Sequence, residues 1–386
     1  MKNLENKTGI INETTSQSKL FTPVKIGPYE FTHRVVMAPL TRMRTIGSAG
    51  VPNELMAEYY GQRATQGGLI IAEATLVSAN GQGYYGAPGI FNNDQVEGWK
   101  KVVNAVHEKG AKIFLQLWHG GRQSHTDLQP DGGLPLGPSV VAHDDVVYTP
   151  KGWVPTTLNK AATIDEISAI VEDFRTGAER AIAAGFDGVE LHGANGYIID
   201  QFLQDGANKR TDIYGGTIEN RVRLLIEVVE AMVSVVGGSR AAVRLGPSGT
   251  FGSMSDSNPD ALFSYATEQL NRFGLAYLHI IEPRIKGSYE VEGETEPVAS
   301  KQLRKIFKGV IISAGGFLPD TASQIIENGD ADLVAFGRYF ISNPDLVERI
   351  REGLPLNDYD RESFYGGDER GYTDYPFYAN QQKQVS

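Results

Sequence analysis

His192, Asn195 and Tyr197 fall within six consecutive residues, at the end of the stretch Gly185-Phe-Asp-Gly-Val-Glu-Leu-His-Gly-Ala-Asn-Gly-Tyr197. An imidazole and a carboxamide three positions apart can converge on one acceptor oxygen. A phenol two positions further on can hand a proton to a neighbouring atom. Two donors for an oxygen and a separate acid suit the polarisation of a carbonyl and protonation beside it. The same residues are equally compatible with a strand-end histidine and a packing tyrosine. The elements that position them have to decide.

Phe186–Leu191 reads as a short buried strand that opens directly into the glycine-punctuated loop carrying the three side chains. Seven further runs read the same way: Arg34–Pro39, Leu69–Val77, Lys112–Trp118, Ala241–Leu245, Ala276–Ile281, Val310–Ala314 and Asp332–Phe336. The stretches between them carry helix patterning. Ile164–Ala184 follows a capping box at Thr163-x-x-Glu166, Glu219–Val236 is periodic, and Asn258-Pro-Asp260 opens a helix through Leu262 to Phe273. Eight buried strands, each followed by a helix, with no compositional break, predict an α/β fold, a (β/α)8 TIM barrel forming one domain over residues 20–386. Leu20–Phe31 reads as an N-terminal hairpin around Gly27-Pro28 that could close the barrel's base. Asp127–Thr157, Pro- and Gly-rich and too long for a plain loop, reads as a lid insertion after strand three.

Composition narrows the function. Of 386 residues, 36 are Lys or Arg and 47 are Asp or Glu, for a formal charge of −11. Such a balance argues against nucleic acid and against an anionic membrane surface. Cysteine is absent, which excludes disulfides, thiolate zinc sites, cysteine nucleophiles and iron–sulfur clusters. No run approaches the roughly 18 apolar residues of a membrane span. Residues 1–19 lack the apolar centre of a signal peptide and read as a disordered lead-in, so a cytoplasmic protein is expected. Gly81-Gln-Gly-Tyr-Tyr-Gly86 matches a dinucleotide-binding pattern but continues into Ala87-Pro88-Gly89 rather than a helix. It is read as a loop.

In a barrel, polar residues at the carboxyl ends of strands read as functional. These are Thr41, Glu73, Gln116 with Trp118, and Arg244 in a strand whose interior should be apolar. A buried arginine is costly unless it meets an anion or a polar ligand, or pairs with Glu190 or Glu282. Strands seven and eight end in Gly315-Gly316 and Gly337-Arg338. Free glycine N–H groups and a guanidinium there suit a phosphomonoester. Together these features suggest a phosphorylated, planar, amide-rich cofactor. No lysine stands at a strand end for Schiff-base chemistry, and no histidine pattern suits a metal, so no metal site is expected. The carboxylates Glu73, Glu190 and Glu282 leave a glycosidase as the alternative.

Beyond these spacings, the chain resembles the old yellow enzyme family of FMN-dependent ene-reductases, especially its classical bacterial members, from about Leu20 to Tyr378. The resemblance is carried by Met-Ala-Pro-Leu-Thr-Arg at Met37–Arg42, Gln-Leu-Trp-His-Gly-Gly-Arg at Gln116–Arg122 and Glu-Leu-His-Gly-Ala-Asn-Gly-Tyr at Glu190–Tyr197. Phe-Leu-Gln-Asp-Gly-Ala-Asn-Lys-Arg-Thr-Asp at Phe202–Asp212, and Phe-Gly-Arg followed by Ile-Ser-Asn-Pro-Asp, add to it.

The resemblance implies tightly but noncovalently bound FMN. Ala38, Pro39, Leu40, Ala74 and Gln116 would line the ring, Thr41 would donate to its O4, and Arg244 would sit at the N1/O2 edge. Gly315, Gly316, Gly337 and Arg338 would take the phosphate. It implies NADPH, rather than NADH, as hydride donor, and enones, enals, maleimides or nitroalkenes as substrates. His192 and Asn195 would bind the substrate oxygen and Tyr197 would be the proton donor. Tyr84, Trp118 and Tyr365 would shape the substrate pocket, the last from an aromatic tail over Ser363–Tyr378 that covers the barrel. Where family members carry His or Asn, this chain has Asn195. A monomer or homodimer is expected. A flavin-binding barrel without turnover is the remaining alternative, and it leaves the proton donor unexplained.

Overall fold

The computed structural model describes residues 18–45, 49–286, 289–291 and 299–385. Eight parallel strands close into a barrel: β1 (Val35–Met37), β2 (Leu69–Leu76), β3 (Lys112–Trp118), β4 (Gly188–Gly193), β5 (Ala241–Leu245), β6 (Tyr277–Ile281), β7 (Ile311–Ala314) and β8 (Leu333–Phe336). Each strand pairs with the next, and β8 returns to β1 through Val334 opposite Val35. The expected (β/α)8 TIM barrel is therefore present, with every strand within two residues of its sequence-based position.

Alternation along each strand divides its side chains between two cores. Outward residues such as Leu115, Leu117, Val189, Leu191 and Val243 pack against the helices. Inward residues Val36, Ile71, Phe114, Ala242, Tyr277, Ile312 and Leu333 fill the lower barrel. The N-terminal hairpin, Val24–Ile26 against Tyr29–Phe31, seals this inner core from below with Ile26 and Phe31. Its turn needs glycine: Gly27 has φ +54°, and a Cβ there would lie 2.0 Å from the Ser239 carbonyl oxygen. The expectation of a basal hairpin holds.

The helices begin where their caps require. Thr163 and Glu166 form the reciprocal capping box that opens Ile164–Ala183. Asn258 caps Pro259–Leu270, which tightens into a 3-10 turn over Asn271–Phe273. Residues 1–17, most of the expected lead-in, lie outside the described residues. Ser18 caps the 3-10 turn Lys19–Phe21 and bonds the Ser323 hydroxyl at 2.8 Å.

Two segments cover the carboxyl face of the barrel. The insertion after β3 builds its own antiparallel hairpin, Val146–Thr149 with Gly152–Pro155. The Gly81–Gly86 segment is a loop whose Tyr85 N–H donates to the Tyr148 carbonyl of that hairpin at 2.7 Å, and the next helix starts only at Asn93. The second cover is the C-terminal tail. Three buried guanidiniums hold it by its carbonyls rather than by carboxylates. Arg42 donates to Phe364 and Gly371 at 2.8 and 2.7 Å, Arg44 to Ser363 and Arg370 at 3.0 and 3.2 Å, and Arg63 to Tyr372 at 3.0 Å. Tyr372 stacks on Tyr59 with centroids 4.0 Å apart. Among the described residues no helix is long and apolar enough to cross a membrane.

Candidate active site

The last residue of β4, Gly193, leads into a tight turn through Ala194–Tyr197. Asn195 takes a left-handed conformation, φ +56°, which asparagine tolerates better than most residues. Gly196, φ +72°, has no room for a side chain, since a Cβ would lie 2.7 Å from the Phe251 carbonyl oxygen. The following helix, Ile198–Leu203, clamps the turn. Asp200 accepts the Gly196 N–H at 2.8 Å, and the Gln201 amide donates to the Gly196 and Gly120 carbonyls at 2.6 and 3.1 Å.

This turn brings His192, Asn195 and Tyr197 onto one wall of a cavity of about 590 Å³ at the carboxyl ends of the strands. That volume suits a cofactor and a small substrate. Burial, reinforced by Arg244 and His279, pushes the His192 imidazole well below its ordinary pKa, so it is neutral and offers one N–H. Its Nδ1 has no partner among the described residues. Burial, with Tyr84 adding to it, pushes the Tyr197 phenol well above its ordinary value, so it keeps its proton.

The floor is formed by Ala38, Pro39, Leu40, Thr41, Gln116 and Arg244. Gln116 Nε2 donates to Glu190 Oε1 at 2.7 Å. The possible pairing of Arg244 with Glu190 or Glu282 is not found. Glu190 is engaged by Gln116 and His279, and Glu282 accepts the backbone N–H groups of Ala299 and Ser300 at 2.9 Å. Arg244 makes no ion pair within 4 Å among the described residues, and its Nε is buried without a partner. The glycosidase alternative loses its footing here, because Glu73, Glu190 and Glu282 are all fully buried and none lines the cavity.

One rim carries Gly315, Gly316, Gly337 and Arg338. Gly315 and Gly316 have φ +117° and +67°, and a Cβ on Gly315 would crowd the Glu282 backbone at 3.2 Å. The Arg338 guanidinium donates to the Tyr359 hydroxyl at 3.1 Å and lies over that ring. The lining is also aromatic, with Tyr84 and Tyr365 in it. Trp118 and Ala74 are not in the lining. Trp118 is fully buried behind the wall, stacked on Tyr84 at 5.9 Å and edge-on to Tyr197 at 5.1 Å, and Ala74 packs in the same cluster.

Sequence reasoning missed several lining residues. Trp153 and Asp145 come from the insertion, Phe251 from the loop after β5, and Arg361 and Phe364 from the tail. Trp153 meets Tyr84 at 6.3 Å and Tyr365 at 5.9 Å. The tryptophan within an insertion on the active face was the available signal. His279, in the middle of β6, and Asp200, in the helix Ile198–Leu203, support the site from behind and were also missed.

Residues 19–357 match the model of the NADH:flavin oxidoreductase / NADH oxidase family. A putative 12-oxophytodienoate reductase 2 of Oryza sativa subsp. japonica is 49% identical over 363 residues, 93% of this chain and 94% of the relative. The 12-oxophytodienoate reductase 2 of Arabidopsis thaliana is 44% identical over 378 residues, 95% and 98% of the two chains. Among solved structures, morphinone reductase in complex with tetrahydroNAD superposes with a TM-score of 0.86 at 48% identity, covering 94% of this chain and 98% of that one. The old yellow enzyme homologue from Zymomonas mobilis gives 0.88 at 40%, covering 93% and 99%. With the barrel and its cavity, these likenesses make the chain a member of the NADH:flavin oxidoreductase / NADH oxidase family, the FMN oxidoreductases of the old yellow enzyme type.

Proposed function

We propose that the protein is an ene-reductase that takes hydride from NADPH and reduces the activated C=C bond of enones, enals, maleimides or nitroalkenes. The observation that carries this reading is the convergence of His192, Asn195 and Tyr197 on one wall of the cavity floored by Gln116 and Arg244. The donor set fits FMN. A buried guanidinium whose Nε has no partner among the described residues suits an edge that gathers negative charge, and the amide of Gln116 suits an imide edge. The glycine rim with Arg338 suits a phosphate. Ala38, Pro39, Leu40 and Thr41 would lie along the ring, with Ala74 supporting from behind.

FMN would supply the two-electron carrier between nicotinamide and substrate. The protein's own part is binding and proton delivery. His192, neutral and with an N–H to give, and the Asn195 carboxamide would hold the substrate's carbonyl or nitro oxygen and draw electrons from the conjugated double bond. Tyr197, protonated at any physiological pH, would give its proton to the carbon next to the activating group. Tyr84 and Tyr365 would bound the substrate, and Trp118 would hold Tyr84 and Tyr197 in place.

The test is an anaerobic visible spectrum of the purified protein, first with NADPH or NADH and then with 2-cyclohexenone. Yellow protein that bleaches, faster with NADPH, and regains its bands with the enone is the expected outcome. Bleaching without recovery would leave the cofactor site standing and refute the substrate class. Colourless protein that takes up no FMN would refute the whole reading.

A further inference from the structure

Beneath the cavity floor lies a charged cluster that the reaction just proposed does not use. Glu190 on β4 and His279 on β6 are both fully buried, and Gln116 on β3 is 1% exposed. Glu190 and Gln116 are register partners on adjacent strands. The carboxylate is held at both ends: Oε1 by the Gln116 amide at 2.7 Å and Oε2 by His279 Nδ1 at 2.9 Å. A buried carboxylate of this kind is weak evidence for stability, because an apolar group of the same volume would cost less desolvation. Some other role should account for it.

We propose that Glu190 and His279 are a positioning pair for the cofactor's pyrimidine edge, fixing which way the Gln116 amide faces. An ionised carboxylate can only accept hydrogen bonds, so the Gln116 atom turned toward it must be the NH2 group. The carbonyl oxygen and the second N–H of that amide are then left for the cavity, one acceptor beside one donor. An imide edge, with an N–H flanked by carbonyl oxygens, is complementary to that pair. Without the fixed acceptor below, the amide could turn over and present two donor hydrogens where one acceptor is needed. His279 Nδ1–H restrains the carboxylate in turn, which leaves its Nε2 bare and without a partner among the described residues.

The pair has an electrostatic consequence as well. Glu190 and Arg244 place opposite charges near the same edge of the cavity. Electrons added there are favoured by Arg244 and opposed by Glu190.

The inference rests on the FMN reading above, and its test separates the two. FMN affinity of the apoprotein and the two-electron reduction potential are measured for wild type, Glu190→Gln, Gln116→Ala and the double variant. Glu190→Gln should bind oxidised FMN roughly tenfold more weakly, the scale of one hydrogen bond to a charged group. The ratio of reduced to oxidised affinity should rise about tenfold, a potential about 30 mV more positive for two electrons. In the Gln116→Ala background the loss of oxidised-FMN affinity should vanish, since the amide it acts through is gone. His279→Gln, with the same readouts, serves if Glu190→Gln does not fold, and should show a smaller loss of the same dependence. Wild-type protein that takes up no FMN overturns the cofactor reading and this pair with it. FMN binding equal in wild type and Glu190→Gln, or a loss undiminished without Gln116, overturns the positioning role alone.

Discussion

The imidazole of His192 stands edge-on to the ring of Tyr197, centroids 4.8 Å apart and planes at 78°. The perpendicular setting lets one residue offer an N–H and the other an O–H to the same cavity from a single turn. Removing the hydroxyl alone separates their roles. Tyr197→Phe should keep full bleaching by NADPH and lose roughly 100-fold or more of the enone-driven recovery, the range of a general acid. Stopped-flow measurement of the two half-reactions checks this; a flavin binder without turnover would show no difference between variant and wild type.

The acidic range offers a second check. Asn195 cannot become cationic, and burial keeps His192 neutral far below its ordinary pKa. Neither side chain should therefore add an acid-side limb to the enone half-reaction, and in Asp200→Asn, whose neighbouring carboxyl can no longer titrate, that rate should be flat between pH 6 and 8. In Asn195→His an acid-side limb should appear as the new imidazole titrates. A bell-shaped profile of Asp200→Asn across that range would contradict the assignment.

Asp200 reaches the chemistry only through the backbone, by accepting the Gly196 N–H at 2.8 Å beside Asn195 and Tyr197. Burial pushes its carboxyl up to about 7. Asp200→Asn replaces an acceptor-only group with one that can also present an NH2. The enone half-reaction should slow about tenfold, as expected for a modest misplacement of the reacting groups. FMN affinity and reduction by NADPH should be unchanged. Loss of FMN along with the enone rate would mean that Asp200 supports the barrel rather than the turn.

Stability should depend on pH through groups that burial discharges. His33, His119 and His143 are each pushed down to about 4, by burial first. The unfolded chain takes up protons near 6.5 that the folded chain refuses, so this stability is present above pH 6.5 and lost as the pH falls toward 4. Glu73 and Asp200, both pushed up to about 7, act in the opposite sense over much of the same range. Three imidazoles outnumber two carboxylates, and His192 and His279 are lowered too. The urea midpoint should fall between pH 7 and 5. A midpoint that rises would show that the carboxylates dominate.

The barrel was legible because strands covered on both faces must be continuous apolar runs, and eight of them are visible. The oxygen-binding wall was legible because its three residues share one turn. What escaped has physical causes. Simple alternation puts Trp118 beside Gln116, yet the Tyr84 ring from another loop lies between that indole and the cavity. A register shift in β2 between Ala72 and Thr75 breaks the alternation, so the side on which Ala74 falls cannot be counted from the inward-facing Ile71. Trp153, Tyr84 and Tyr365 meet from three separate loops, and no local pattern encodes such a meeting. The partners of Arg244 were left open because a strand pattern shows that a charge is buried without showing what faces it.

The arginine-held tail sets an order on the making of this molecule. Arg42 and the Phe364 carbonyl it holds are 322 residues apart, and β1 waits almost as long for β8, which pairs with it at Val334 opposite Val35. During synthesis the segments carrying Arg42, Arg44 and Arg63 leave the ribosome with their guanidiniums still bound to water, and neither the barrel seam nor its cover can form until β8 and the tail have appeared. Because the acceptors are carbonyls, which carry no net charge, added salt should do little to loosen the finished closure. The tail carbonyls thus complete the hydrogen bonding of a guanidinium translated 322 residues earlier, and a ribosome stalled before residue 363 should carry a chain that proteases readily cut.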